Sequence, residues 1–248
     1  MDNLAKYLCV LPLFFILGCS SWSKEQGIVD RAIEAHGGKL YEQVKISFDF
    51  RDRHYEIFKS PNRFEYSREF TDSTGLVLDV LDNGGFVRQI NGKEVKVTEE
   101  RMQAYANSIN SVAYFAFLPY GLNDAAARKR WKGETELDGQ TYDLIEVTFD
   151  EEGGGEDFED EFLYWFNKES RRLDYLAYSY HTEGGGLRFR KAVNPRNIGG
   201  ILIQDYENYR PKDPSVSLED LEGLFRAGEL ELLSEIILEQ VRVEVLDE

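Results

Sequence analysis

His36, His54 and His181 are the three histidines of the sequence, the side chains whose ordinary pKa lies nearest neutrality. Converging, they would make a metal site, or a general base if a carboxylate oriented one of them. Their wide separation in sequence argues against convergence. His36 closes a helical stretch, where a positive or donating ring suits the last exposed carbonyls. The local signatures of chemistry are absent: no G-x-S-x-G elbow, no H-E-x-x-H helix, no G-x-x-x-x-G-K loop and no G-x-G-x-x-G turn. The run from Asp150 to Glu161 holds eight carboxylates and no base, oxygens of the kind that hold calcium. It lacks the fixed spacing of a calcium loop and lies between two strand patterns, so it reads as a solvated hairpin loop. Arg128, Lys129, Arg130 and Lys132 form the one dense basic patch, read as the outer face of a strand start with Trp131 turned inward. No catalytic residue, metal ligand or cofactor is assigned, and an enzyme is expected only if the fold gathers histidines with carboxylates.

The two cysteines point elsewhere. Residues 7–17, Y-L-C-V-L-P-L-F-F-I-L, form an apolar run too short for a mature transmembrane helix, which needs about 20 residues, and of the length found in secretory signals. Ile16-Leu17-Gly18-Cys19 resembles the lipobox of bacterial lipoproteins. That resemblance implies a signal peptide over 1–18, a lipid-carrying Cys19 and a tether over 19–26. Cys9 then leaves with the signal and Cys19 is acylated, so disulfides and thiolate chemistry are excluded. The implied partner is the membrane, reached through the N-terminal acyl chains. Ser20 and Ser21 after the cysteine resemble the signal for the outer membrane, facing either the periplasm or the cell surface.

Charge bounds the partners further. With 29 basic and 46 acidic residues the net charge is −17, the wrong sign for nucleic acid. Residues 150–161 carry −8 and residues 213–248 carry −9, which leaves the rest balanced. Hydrophobic residues at 42% and aromatics at 13% are enough to bury a core, so the acidity belongs to one loop and one tail of a globular chain.

The elements that would position these residues read as follows. Val29, Ile33 and His36 share a helix face over 27–36, with Ile28, Ala32 and Ala35 beside them, and Gly37-Gly38 stops the helix. From Val44 the period changes to two, with strands over 44–51, 63–70, 76–81, 86–90, 93–97, 131–137, 141–149, 162–166, 173–181, 187–193 and 201–209. Asn91-Gly92 and Asp138-Gly139 mark tight hairpins, and the glycine triplets at 153–155 and 184–186 read as hairpin tips. Thr98 caps a helix running to Leu118-Pro119, whose end, Val112 to Leu118, is apolar all round and must be covered on several sides or line a greasy cavity. Ser217 with Asp220 starts a short helix, and 229–245 reads as a final strand, a helix through 230–238 being the alternative.

Ala35-His36-Gly37-Gly38 and Leu118-Pro119-Tyr120-Gly121-Leu122-Asn123-Asp124 resemble the hallmarks of a family of uncharacterised bacterial lipoproteins, over about residues 28–210. The order of elements resembles that of the lipoprotein carrier LolA and its anchored receptor LolB. The fold this implies is mainly β with covering helices: a strongly curved antiparallel sheet, a half-barrel over 27–212, wrapped around the 98–118 helix. The acidic segment 213–248 adds a helix and a final strand to the same domain. A hollow of that kind suits a lipid or other apolar ligand, with Tyr114, Phe115, Phe117, Leu118 and Trp165 as its expected contacts. The alternative is a structural or interaction lipoprotein of the cell envelope whose hollow is filled by its own helix, with a protein partner the sequence does not identify.

Overall fold

The computed structural model describes residues 23–151, 159–181 and 184–246. The signal peptide, Cys19 and most of the acidic run at 152–158 lie outside the described residues. Helix α1, Lys24–His36, starts three residues before the apolar pattern because Ser23 caps it, its hydroxyl accepting from the Gln26 amide. Three residues of the expected tether are thus helical. Gly37 ends the helix with φ 141°, and a Cβ there would lie 3.1 Å from Ile201, so the position takes a residue without a side chain.

Two antiparallel sheets of seven strands follow. The first is built from β1 Val44–Phe50, β2 Arg53–Ser60, β3 Arg63–Asp72, β4 Gly75–Asp82, β5 Gly85–Ile90 and β6 Lys93–Glu94, paired in chain order. The second contains β7 Ala127–Leu137, β8 Gln140–Phe149, β9 Phe162–Asn167, β10 Leu173–Tyr180, β11 Gly186–Ile198 and β12 Ile201–Pro211, again a meander. Asn91-Gly92 and Asp138-Gly139 turn the expected hairpins with positive φ at both residues. One strand escaped the sequence pattern: in β2 only Tyr55 and Ile57 are apolar and buried, among Arg53, His54, Glu56 and Lys59.

The tail decides how the two sheets meet. Residues 229–245 form two strands, β13 Leu230–Ile236 and β14 Glu239–Val245, instead of one. β13 pairs with β12 and β14 pairs with β1, so a single segment completes both sheets. The crossing is pinned by Asp205, 2% exposed, which accepts from both Arg196 Nη atoms at 2.6 and 2.9 Å and from the Leu238 amide at 3.0 Å. The second sheet is covered on both faces. α1 packs on its inner face, against β7, β9 and β12. A single 3-10 turn at Leu218–Asp220 and helix α3, Leu221–Arg226, cover the outer face, with Leu218 and Leu221 buried among Trp165, Tyr175 and Phe189. Ser217 and Asp220 form the expected capping box. Double coverage explains why every residue of β9, F-L-Y-W-F-N, is buried.

Helix α2, Glu99–Ala116, runs between the sheets. Thr98 caps it, accepting from the Arg101 amide at 3.4 Å. It packs on β3, β4 and β5, while Tyr114 and Phe115 meet aromatic rings of β9 and β10. The architecture is therefore the mainly β, curved antiparallel arrangement around a central helix that the order of elements implied. It is not closed into a barrel, since β6 and β7 end their sheets unpaired on one side. No helix among the described residues is long and apolar enough to cross a membrane.

Candidate functional site

The three histidines are not gathered. His54 meets Asp49 at 2.6 Å on an exposed strand pair, and His181 meets Asp160 at 3.2 Å at the other sheet's rim. His36, 1% exposed, sits under the second sheet, where its Nε2 accepts from the Leu173 amide at 3.1 Å. The expectation of a positive or donating ring serving the helix's last carbonyls is therefore corrected. Burial, aided by Arg172, pushes its pKa down to about 4 and the ring is neutral. Among the described residues no group of three or more histidines, cysteines and carboxylates is placed to hold a metal.

The hallmark segments also turn out to be joints. Tyr120 stacks on Tyr41 with ring centres 5.2 Å apart, and Leu122 is fully buried. Asn123 donates to Asp30 and accepts from Gln26, tying the loop after α2 to α1. The basic patch is likewise engaged: Arg128 pairs with Asp150, Arg130 and Lys132 pair with Glu146, and Lys129 reaches the Leu122 carbonyl at 2.7 Å. Trp131 does turn to the inner face, but at its edge, 36% exposed beneath the Lys24 ammonium.

Space remains around α2. An inner cavity of about 290 Å³ lies between β1, α2 and the strands β11 to β13, walled by Phe48, Val112, Leu118, Ile203 and Leu238 among others. An open groove of about 890 Å³ runs along the other flank of the helix, past Tyr66, Phe86, Phe162 and Tyr178. Ser111, Phe115 and Arg190 border both spaces. The groove falls within the range usual for small-molecule pockets, about 300–1,000 Å³, and the cavity lies at its lower end. Four of the expected contact residues are here: Phe115 on both spaces, Tyr114 and Phe117 on the groove, Leu118 on the cavity. Their place follows from the all-apolar end of α2, which meets a sheet on each side.

Trp165 is elsewhere, and its assignment to the hollow is corrected. Its chain neighbours Tyr164 and Phe166 face inward, so the period of two turns Trp165 outward, against Phe189 and the α3 cover. There its Nε1 donates to Glu222 at 2.8 Å. The aromatic series divides the same way: Tyr164, Phe166 and Tyr178 lie inward and Tyr175 outward. Sequence reasoning had no means of telling the faces apart, because both are buried.

The polar atoms of the hollow were not anticipated. The Tyr114 and Tyr164 hydroxyls bond to each other, and burial raises both phenols well above their ordinary pKa. Tyr206 on the inner wall is pushed up to about 12, again by burial. Lys59, on the groove, lies over the Tyr120 ring, and burial lowers its ammonium from the usual value. Arg190 is 9% exposed and stacks on Phe115 with its guanidinium carbon 3.9 Å from the ring centre. The sequence does show arginines alternating with Leu187 and Phe189 along β11, a signal of one polar face, although not of which face is enclosed.

Comparison with known proteins bears on the fold. A LolA-superfamily protein from Nitrosomonas europaea superposes with a TM-score of 0.51 at 13% identity, over 90% of this chain and 94% of that one. A domain from Vibrio parahaemolyticus named for outer-membrane lipoprotein sorting gives 0.45 at 8% identity, covering 90% and 93%. A DUF1329 family protein from Desulfovibrio piger gives 0.39 at 11%, covering 90% and 95%. The first of these shows a shared fold and nothing finer. No curated protein matches the sequence. A family model described as "Family of unknown function (DUF6503)" matches residues 5–237.

Proposed function

The chain belongs to the family of unknown function DUF6503, and on that footing we propose that it is a lipoprotein of the cell envelope that holds a lipid or other apolar ligand in the hollow of its curved sheet. The observation that carries this reading is the unfilled space on both flanks of α2, about 290 Å³ inside and about 890 Å³ in the groove, bordered in common by Phe115. Concave spaces of this size lined in good part by apolar and aromatic side chains are the usual form of a small-molecule site. A hollow filled by the protein's own helix, as a purely structural role would have it, would leave neither. The LolA-like fold supports the same reading.

Attachment belongs to the proposal as well. The Leu17-Gly18-Cys19 sequence supports acylation of Cys19 and an outer-membrane location, with the helix start at Lys24 leaving only a few residues between anchor and body. The test is native mass spectrometry of the protein purified from its host. Co-purification of a noncovalent apolar molecule is expected; a bare polypeptide mass with no extractable lipid overturns the ligand-binding role.

A further inference from the structure

Acidic residues outnumber basic ones by 17 in this chain, yet among the described residues the inner cavity is bordered by two arginines, Arg51 and Arg190, and by no carboxylate. Arg190 is the buried one, at 9% exposure. A buried guanidinium normally sits against a carboxylate, because an unpaired charge in a poorly solvated site is costly. Three other arginines of the fold obey that rule, Arg68 and Arg88 sharing Asp79 and Arg196 gripping Asp205, whereas half-buried Arg188, beside Arg190 on the same strand, donates to the Leu187 carbonyl and the Tyr180 hydroxyl. Arg190 forms no ion pair among the described residues. Its Nη2 donates to the Tyr178 hydroxyl at 2.7 Å and its face rests on Phe115, while its buried Nε has no acceptor. Directly opposite in register on β12, the buried carboxamide oxygen of Asn208 also lacks a partner, and Asn208 borders the same cavity. Two unmet polar atoms thus stand side by side in a wall that is otherwise largely apolar. Arg190 also borders the outer groove, which carries Arg188 and Lys59 against Asp124 and Asp160, so the path from solvent to the guanidinium is not closed to an anion.

Resting on the apolar-ligand reading above and sharpening it, we propose that the ligand is an amphiphile with an anionic oxygen head group, carboxylate or phosphate, whose head is bound by Arg190 and whose apolar tail lies along Phe115 and the end of α2. The guanidinium supplies directed N–H donors to such oxygens, and the stacked ring holds its plane in place. An uncharged lipid would leave Arg190 as unpaired as it is without ligand.

The head and the tail are separable by experiment. The full chain in phosphatidylcholine nanodiscs is incubated with dodecanoate, dodecyl phosphate or dodecanol at equal concentration, and native mass spectrometry reads the bound fraction. One or both anions are expected to bind at least about tenfold better than the alcohol, the size of a charge-assisted hydrogen bond, and which anion leads identifies the head group. Arg190→Gln is expected to lose that preference while still retaining dodecanol, and Arg190→Lys, the check should the glutamine variant fail to fold, to keep the preference reduced at least threefold. Equal binding of anion and alcohol to the wild type, or an undiminished preference in either folded variant, overturns the head-group assignment and leaves the hollow as an apolar site. No adduct from any of the three compounds removes the ligand-binding reading itself.

Discussion

The Nε2 of His36 takes the amide of Leu173 across the gap between the first helix and the second sheet, and that contact gives the histidine a role in stability. Its folded pKa, about 4, is below the ordinary 6.5, so between those values the unfolded chain binds a proton that the folded chain does not. Stability from this residue is complete above about pH 6.5 and falls as pH drops toward 4, by up to about 3 kcal/mol. Urea unfolding of wild type and His36→Gln at pH 7 and pH 4.5 tests this: the wild type is expected to lose more than the variant does. A second residue-scale expectation concerns Asp205, which holds Arg196 and the Leu238 amide. Asp205→Ala should cost about 2 kcal/mol, less than a fully buried pair would, because Arg196 is 32% exposed; the shift of the urea midpoint measures it. At this scale the sequence showed which residues were titratable or aromatic. It did not show their partners, since Leu173 lies 137 residues from His36 and register alone turns Trp165 away from Tyr164.

Elements with a strong local signal were legible, and those that depend on a distant partner were not. Helix α2 and its Thr98 cap, the two tight turns with Asn-Gly and Asp-Gly, and the Ser217 capping box each rest on contacts within a few residues. β2 was missed because only two of its side chains enter the core, and its strand character comes from the seven registered positions it shares with each neighbour, β1 and β3. The tail was read as one strand where there are two, since nothing local says that β13 will find β12 and β14 will find β1. Removing β14 by ending the chain at Leu238 would leave β1 as a bare edge and take away Val241 and Val243, uncovering the cluster of Ile46 and Phe48 on which they pack. Thermal unfolding should fall by roughly 5–10 °C, with light scattering rising, if the segment contributes as its burial indicates; an unchanged transition would show that the first sheet stands without it.

On the scale of the whole molecule, the hollow is a property of two sheets held apart by one helix. Ala116 lies on the cavity side of α2. Ala116→Trp should fill the cavity and lower retention of apolar ligand at least about tenfold, with the melting temperature changed by only a few degrees. Native mass spectrometry with dodecanol, beside a thermal scan, checks both halves of that expectation. Exchange of Cys19 for Ala should abolish labelling by a fatty-acid probe, and label that persists would argue against the anchor.

What the sequence by itself determined is what depends on composition and short-range order: the mainly β class, the central helix with its apolar end, and the concentration of acidity in one loop and one tail. These follow from side-chain volume, periodicity and turn preference, which act over a few residues. Only the tertiary structure decided which face of each doubly covered strand looks into the hollow, that space remains beside the helix, and that a positive charge is buried there without a carboxylate. Arg190 carries the same charge wherever it lies in the chain. Its significance comes from the register that points it inward opposite Asn208, and from the absence of any described carboxylate paired with it there.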